Sequence, residues 1–129
     1  SVGAFSGFDL ARGRYSLLLP CDVPLVSSDV LLFLFELCLD KGAAIPRWPN
    51  GCIEPLHAVY RTDLALDAAG RALSDGKLDM LSLVNGLRGV RYVSTLVLEQ
   101  LDAGLRTFFN VNTPLDLKRA KFILRLLNK

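Results

Sequence analysis

Cysteine, histidine, tryptophan and methionine are scarce in this sequence. Its 129 residues include three cysteines and one each of the other three residue types. Cys21, Cys38 and Cys52 are an odd number and show neither a CxxC pair nor a Cys/His metal spacing, which argues against a disulfide scaffold and a zinc site. Sparse cysteines in a chain this rich in apolar residues predict reduced thiols and a cytoplasmic location.

Charge of one sign and long apolar runs are also lacking. The net charge is only +2. The basic residues are scattered, except for four on one predicted helix that are typical of a solvated face: Lys118, Arg119, Lys121 and Arg125. The longest apolar stretch, residues 30–39, is interrupted by Glu36 and is too short to span a bilayer. The sequence therefore predicts neither a nucleic-acid partner nor a membrane partner.

Several catalytic motifs are missing as well. The sequence contains no GxSxG, GxGxxG, Walker A or HExxH pattern. The only histidine, His57, stands among the apolar residues of the segment 55–60, which is more typical of a packed, hydrogen-bonded side chain than of a base. A serine or cysteine hydrolase is therefore poorly supported, because no base stands near a candidate nucleophile.

What the sequence does contain is an alternation of strand and helix patterns. Apolar residues make up 51% of the chain, enough for one domain over residues 1–129 with a substantial core. Residues 15–20 form an apolar run bounded by turn signals, which predicts a buried parallel strand. Residues 1–11 predict a short helix, and residues 30–41 predict a longer one that ends at Gly42. The other expected elements are strands at 43–47, 52–60, 90–93 and 107–111 and helices at 63–74, 78–85, 95–102 and 115–127. This order predicts the α/β class with a mainly parallel sheet.

A carboxylate follows the first buried strand. Open α/β sheets bind ligands beyond the carboxyl ends of their strands, and Asp22 stands at such an end with Pro24 stiffening the turn. Mg²⁺ needs only one or two carboxylates when substrate phosphates supply further oxygens, so Asp22 alone could bind it. The residues equally allow Asp22 to do no more than cap the turn into the next helix.

Two carboxamides follow the last expected strand. Asn110 and Asn112 precede Thr113-Pro114, which is typical of a helix start. Together with free backbone N–H groups they could hold a phosphate or the edge of a pterin ring. Judged from the residues alone, an Asx-turn with a helix cap is the simpler interpretation.

Three segments together resemble one family, the molybdenum cofactor guanylyltransferases. Residues 17–24 (LLLPCDVP) resemble its strand-and-acid motif, residues 54–61 (EPLHAVYR) its middle strand, and residues 109–117 (FNVNTPLDL) its C-terminal signature. Gly3 would match the last glycine of a Gly-Pro-x-x-Gly turn. The resemblance covers the whole chain, as the C-terminal two thirds of such an enzyme, and it implies a Rossmann-like sheet of the nucleotide-diphospho-sugar transferase type with helices on both faces.

The resemblance also implies a reaction and its site residues. Members of the family join GMP from GTP to molybdopterin and release pyrophosphate. Asp22 would match the catalytic residue that binds Mg²⁺ beside the nucleotide, Gly3 would contribute to nucleotide binding, and Asn110 and Asn112 would hold the molybdopterin. GTP and the molybdenum cofactor are the implied partners, and the implication extends to proteins that mature molybdoenzymes.

One family feature has no counterpart in this sequence. The N-terminal Leu-Ala-Gly-Gly loop, with its downstream arginine and lysine, is absent. Those groups would bind the triphosphate and stabilise charge in the transition state. We therefore expect this chain to be a fragment that is inactive alone, and we expect self-association through the sheet edge left open near residues 15–19.

Two alternatives remain open from the sequence. The first is a related nucleotidyltransferase with another acceptor, of the cytidylyl or sugar-phosphate type. The second is a non-catalytic module that binds a nucleotide or a pterin.

Overall fold

A computed structural model describes residues 5–10, 13–20 and 25–109, together with Lys118, Phe122 and Arg125; for 5–10 only the backbone is described. The strands are β1 (Phe5–Leu10), β2 (Tyr15–Pro20), β3 (Ala43–Arg47), β4 (Ala58–Arg61) and β5 (Val90–Ser94). The helices are α1 (Ser28–Cys38), α2 (Thr62–Ser74), α3 (Met80–Asn85) and α4 (Thr95–Leu98), and a 3₁₀ turn spans Arg106–Phe108. None of the helices described is long and apolar enough to cross a membrane.

The five strands form one mixed sheet in the order β1-β2-β4-β3-β5. β4 runs antiparallel to both β2 and β3, and β5 runs parallel to β3, so β2, β3 and β5 all point the same way. β4 turns back because the connection from β3 is too short for the helical crossover that a parallel neighbour requires. The predicted α/β fold is confirmed, but the sheet is mixed rather than mainly parallel. Three of its four described strand pairs, including both pairs of β2, are antiparallel, because short connections without a helix join β1 to β2 and β3 to β4. The carboxyl ends of β2, β3 and β5 meet at one edge of the sheet.

Helices cover both faces of this sheet, because successive residues of each strand point to opposite sides. On one face Val59 of β4 packs with Leu34 of α1, and on the other Tyr60 packs with Val84 of α3 and Ile45 of β3. All five side chains are buried. Full burial of each aliphatic side chain stabilises the fold by about 1.5–3 kcal/mol.

The prediction of a helix over residues 1–11 is wrong for Phe5–Leu10. This segment is β1, and it pairs with β2 in antiparallel register from Phe5 opposite Pro20 to Leu10 opposite Tyr15. Gly13, with a φ of 81°, allows the tight return between the two strands. The pairing satisfies backbone groups of β2 that a helix would have left open, so the edge expected to be exposed near residues 15–19 is covered. Self-association stays a prediction, but an exposed edge of β2 no longer supports it.

The prediction of a strand over residues 107–111 is also wrong for the part that the structure describes, residues 107–109. Arg106–Phe108 is a 3₁₀ turn, because the carboxylate of Asp102 binds the residue at its centre. Oδ2 of Asp102 accepts hydrogen bonds from the backbone N–H and the hydroxyl of Thr107, at 2.8 and 2.7 Å. An extended strand could not bring these groups together, so the side-chain bonds decide the local backbone.

Candidate functional site

The carboxyl edge of the sheet is the candidate site, although none of the residues predicted for it can be placed directly. Gly3, Asp22, Asn110 and Asn112 lie outside the described residues. Their described neighbours in the chain are Pro20 and Leu25 around Asp22, and Phe109 before Asn110. The site is therefore built from the residues that anchor these segments.

A chain of hydrogen bonds connects Ser27, which follows Asp22 in the sequence, to Thr107, which precedes Asn110 and Asn112. The backbone N–H of Ser27 donates to the hydroxyl of Thr107 at 3.0 Å, and that hydroxyl donates to Asp102 at 2.7 Å. Thr107 is 1% exposed and Asp102 is 8% exposed. Ser27 stands five residues after Asp22 and Thr107 three residues before Asn110, so this hydrogen-bond chain joins the described segment that follows Asp22 to the one that precedes Asn110.

Asp102 supports the candidate site by holding Thr107, and sequence reasoning missed it. It occupies a segment predicted as the end of a helix, where nothing in the local pattern distinguishes it from a solvated carboxylate. Its partner Thr107 stands five residues away, in a segment whose pattern predicts a strand. Only the turn signal of Gly104, with a φ of 77°, could have suggested that the chain bends back between them.

A second group of side chains connects the end of β3 to the start of β4. The indole Nε1–H of Trp48 donates to Oε1 of Glu54 at 2.7 Å. Nδ1 of His57 stands 3.4 Å from Oε2 of the same carboxylate, a contact too long for a well-formed hydrogen bond and best described as electrostatic. His57 first, and Trp48 to a smaller extent, hold the pKa of Glu54 below its ordinary value, against the opposing effect of partial burial.

His57 is packed, as the sequence predicts, at the position just before β4. Its side chain is 4% exposed, and its ring lies 5.1 Å from the ring of Phe108 at an interplanar angle of 55°. Within the part of the chain that the structure describes, neither ring nitrogen has a hydrogen-bond partner. A buried, unpartnered imidazole is costly, so this edge keeps polar capacity that the described residues do not use.

An open cavity of about 620 Å³ lies beside these residues. Its aromatic walls are Trp48, Phe108 and Phe109, with Arg106 as the charged lining residue. Ala103, Gly104 and Leu105 complete the lining. The Trp48 and Phe108 rings meet edge to face, with centroids 5.7 Å apart. This size and composition suit a flat organic ligand better than a metal ion.

Metal-binding capacity is limited among the residues described. No group of three His, Cys, Asp or Glu side chains there could hold a metal ion. The two carboxylates nearest the cavity are already occupied, Asp102 by Thr107 and Glu54 by Trp48 and His57. A cation at this edge would depend on oxygen ligands from outside these residues, such as the predicted Asp22 and substrate phosphates.

An open α/β sheet with polar groups beyond its carboxyl edge defines the class of nucleotide-binding α/β proteins. Within that class, the chain belongs to the MobA-like NTP transferase domain family, whose model matches residues 1–90. The resemblance to molybdenum cofactor guanylyltransferases is thereby confirmed.

Individual relatives agree with the family. The chain is 35% identical over 116 residues to a probable molybdenum cofactor guanylyltransferase of Methanosarcina mazei, covering 90% of this chain and 51% of that protein. The crystal structure of molybdopterin-guanine dinucleotide biosynthesis protein A from Archaeoglobus fulgidus superposes with a TM-score of 0.73 at 31% identity, over 92% of this chain and 64% of that one. The chain spans about half the length of the curated relatives it matches.

A more distant structure has the same fold. The 2-C-methyl-D-erythritol 4-phosphate cytidylyltransferase of Thermus thermophilus superposes with a TM-score of 0.63 at 22% identity, over 87% of this chain and 62% of that one. This likeness supports the α/β nucleotidyltransferase fold and nothing finer.

Proposed function

We propose that the protein to which this chain belongs transfers GMP from GTP to molybdopterin, with Mg²⁺ as cofactor and pyrophosphate as the second product. The observation that carries the proposal is the 35% identity, over 90% of the chain, to a protein named as a probable molybdenum cofactor guanylyltransferase. The bond from Ser27 to Thr107 also supports it, because it joins the described residues after Asp22 to those before Asn110.

The nucleotide side of the site belongs to the end of β2. Asp22 follows this strand by two residues, and a single carboxylate with triphosphate oxygens matches the oxygen ligands that Mg²⁺ prefers. When bound, Mg²⁺ neutralises charge that develops on the phosphates. Asp22 would hold the cation, and Gly3 would contribute to nucleotide binding. A phosphate oxygen of molybdopterin attacks the α-phosphorus of GTP, and the bond to the β-phosphate breaks to release pyrophosphate.

The acceptor side of the site belongs to the segment after Phe109. Asn110 and Asn112 each offer an amide donor and a carbonyl acceptor, which suits the mixed donors and acceptors on a pterin edge. Thr107, three residues before Asn110, is buried and donates two hydrogen bonds to Asp102. The segment that follows it therefore starts from a fixed point. A fixed starting point lowers the entropy lost when the acceptor binds.

The direct test is transfer by the complete gene product that contains this chain. Isothermal titration with GTP and with CTP, each with Mg²⁺, measures the nucleotide preference, and chromatography of a reaction with molybdopterin measures the dinucleotide product. We expect tight binding of GTP, weak binding of CTP and release of pyrophosphate. Preference for CTP, or formation of a product from a sugar phosphate instead, would contradict the proposed reaction.

The acceptor role of the asparagines has its own test. Asn112→Ala, and more weakly Asn110→Ala, should raise the KM for molybdopterin about tenfold while the KM for GTP stays near the wild-type value, because one lost hydrogen bond costs about 0.5–1.5 kcal/mol and more when a ligand group is left unpaired. Steady-state kinetics with each substrate varied in turn makes the measurement. Equal losses for both substrates would mean that the asparagines only shape the turn.

A further inference from the structure

We propose that the cavity walled by Trp48, Phe108 and Phe109 binds the flat ring system of the acceptor, a pterin, with Arg106 donating to acceptor atoms on the ring edge. We call this the aromatic cavity. The inference rests on the proposed function and adds to it the side chains that would hold the faces of the ring and a further part of its edge, in addition to the two asparagines.

The walls of the aromatic cavity fit a flat, nitrogen-rich ring. Trp48, Phe108 and Phe109 are each only partly buried, so ring surface remains open to the cavity. Heteroaromatic rings stack favourably on such side chains in nucleic-acid complexes. The volume of about 620 Å³ falls within the usual range for small-ligand sites, about 300–1,000 Å³.

The walls are also held in place before any ligand arrives. Glu54 fixes the indole of Trp48 through a 2.7 Å hydrogen bond, and the ring of Phe108 rests against that of His57. Leu105, with a φ of 52°, is a non-glycine residue in the left-handed region directly before Arg106. Such backbone strain persists only where the surroundings enforce it, here through the bonds from Asp102 to Thr107.

The position of the aromatic cavity separates it from the nucleotide. Trp48 follows β3, whereas Asp22 follows β2, and β4 lies between these strands. Neighbouring strands are about 4.8 Å apart, so the two ends stand about 10 Å from each other across the edge. That spacing suits an acceptor whose ring lies in the aromatic cavity while its phosphate reaches towards the nucleotide. The cavity lining of residues 103–109 also runs directly into Asn110.

Arg106 supplies the polar contact of the aromatic cavity. Its guanidinium is partly buried and, among the residues described, forms no ion pair. A planar fork of N–H donors can bind the carbonyl oxygen and ring nitrogen of a pterin in two parallel bonds. Stacking on the aromatic walls would give affinity for the pterin ring, and the guanidinium of Arg106 would set its orientation.

The test uses biopterin, an uncharged pterin, as the probe on the complete gene product. Isothermal titration compares the wild type with Trp48→Ala and Arg106→Ala, and Arg91→Ala serves as the control because it removes one exposed arginine of β5 away from the cavity. We expect affinity for biopterin to fall at least tenfold in both cavity variants and to stay unchanged in Arg91→Ala. Affinity for GTP with Mg²⁺ should stay unchanged in all three variants.

Two further readouts keep the test decisive. The fluorescence that Trp48 contributes, measured as the difference between the wild type and Trp48→Phe, should be quenched by biopterin, and much less at the same concentration in the Arg106→Ala background. Thermal unfolding checks each variant, and Arg106→Ala carries the conclusion if Trp48→Ala does not fold. Equal biopterin affinity in the wild type and Arg106→Ala, or a parallel loss of GTP binding, would overturn the proposal.

The outcomes separate this inference from the proposed function. A protein that transfers GMP but binds biopterin equally with and without Arg106 would refute the aromatic cavity alone. A protein that loses biopterin in Arg106→Ala but never transfers GMP would refute the proposed reaction alone.

Discussion

The two edges of the sheet are built in different ways. At the amino ends of β2, β3 and β5, main-chain groups close the structure: the N–H of Gly42 donates to the carbonyl of Gly89 at 3.0 Å, and the carbonyl of Gly42 accepts from the N–H of Arg61 at 2.9 Å. A Cβ at Gly42 would overlap the carbonyl oxygen of Arg88. Backbones approach here so closely that only glycine fits.

At the carboxyl ends, side chains make the connections instead. Asp102 holds Thr107, Glu54 holds Trp48, and the ring nitrogens of His57 find no hydrogen bond among the described residues. Main-chain bonds that satisfy each other stabilise a fold but leave nothing for a ligand. Side chains held in place with unused donors or acceptors can bind one, so changes at the two edges should have separable effects.

The largest expected effect is at the carboxyl edge. Asp22→Asn in the complete gene product should lower turnover by about two orders of magnitude or more, because the lost charge acts on the developing phosphate charge. Its melting temperature should change little. Asp67→Asn, which removes an exposed carboxylate of α2, is the matched control. Near wild-type turnover by Asp22→Asn at saturating Mg²⁺ would remove this residue from the mechanism.

At the amino edge we expect the reverse: a substitution there should change stability and leave turnover unchanged. Gly42→Ala should lower the free energy of unfolding by about 1–3 kcal/mol, because the added methyl group forces two backbones apart. Transfer activity per folded molecule should stay the same. Urea unfolding followed by circular dichroism measures the first quantity, and kinetics normalised to folded protein the second.

A second glycine provides the control for this substitution. Gly70 lies inside α2, and an added Cβ there would meet nothing within 4 Å. Gly70→Ala should therefore stabilise the protein by about 0.5–1 kcal/mol, since alanine favours the helix. If both substitutions change stability in the same direction, the close approach at Gly42 is not what fixes that edge.

The carboxylate of Glu54 should make the stability of the carboxyl edge depend on pH. Its pKa in the folded protein is held below the ordinary value of 4.5, chiefly by His57. Its stabilising contribution is therefore complete above pH 4.5 and is lost as the pH falls through the lower, folded-state pKa. Urea unfolding of the wild type and Glu54→Gln at several pH values from about 7 to about 3 measures the difference between them.

We expect that difference to be largest at neutral pH and to shrink in acid. Glu99→Gln, at an exposed carboxylate after α4, should show no such trend. A constant difference between the wild type and Glu54→Gln across the pH range would mean that the contact of the Glu54 carboxylate with His57 does not stabilise the fold.

The sequence predicts the order of elements well where apolar periodicity is strong. The strand at residues 15–20, the helix α1 and the capped helix α3 all begin within two residues of their expected starts. The pattern fails for Phe5–Leu10, where an open strand edge on β2 overrides a helical spacing of phenylalanines. Which local preference wins there depends on pairing with β2, the next strand in the chain, and the periodicity of residues 1–11 alone does not contain that information.

The candidate site is predictable only in part, for a related reason. Strand-end residues such as Asp22 follow from a general rule about α/β sheets and can be named from sequence. The contacts of Thr107 with Ser27 and of Trp48 with Phe108 join residues that are distant in the chain and become neighbours only on folding. The packing of His57 is predictable from its apolar neighbours, but its lack of a described hydrogen-bond partner required the structure.

The smallest expected effect concerns two cysteines that contrast the interior with the carboxyl edge. Cys38 ends α1 with no exposed surface, and burial raises the pKa of its thiol to about 11, so on the order of one molecule in a thousand carries the thiolate at pH 8. Cys52 lies exposed in the loop between β3 and β4, beside the segment that holds Trp48. In a Cys21→Ser background, iodoacetamide at about pH 8 should therefore label Cys52 quickly and leave Cys38 unlabelled over the same period. Peptide mapping by mass spectrometry reads each site separately, and Cys52→Ser should abolish the fast label. Labelling of Cys38 at the rate of Cys52 in the folded protein would show that the α1 face opens to solvent as readily as the carboxyl edge, and the contrast between a closed interior and an accessible edge would fail.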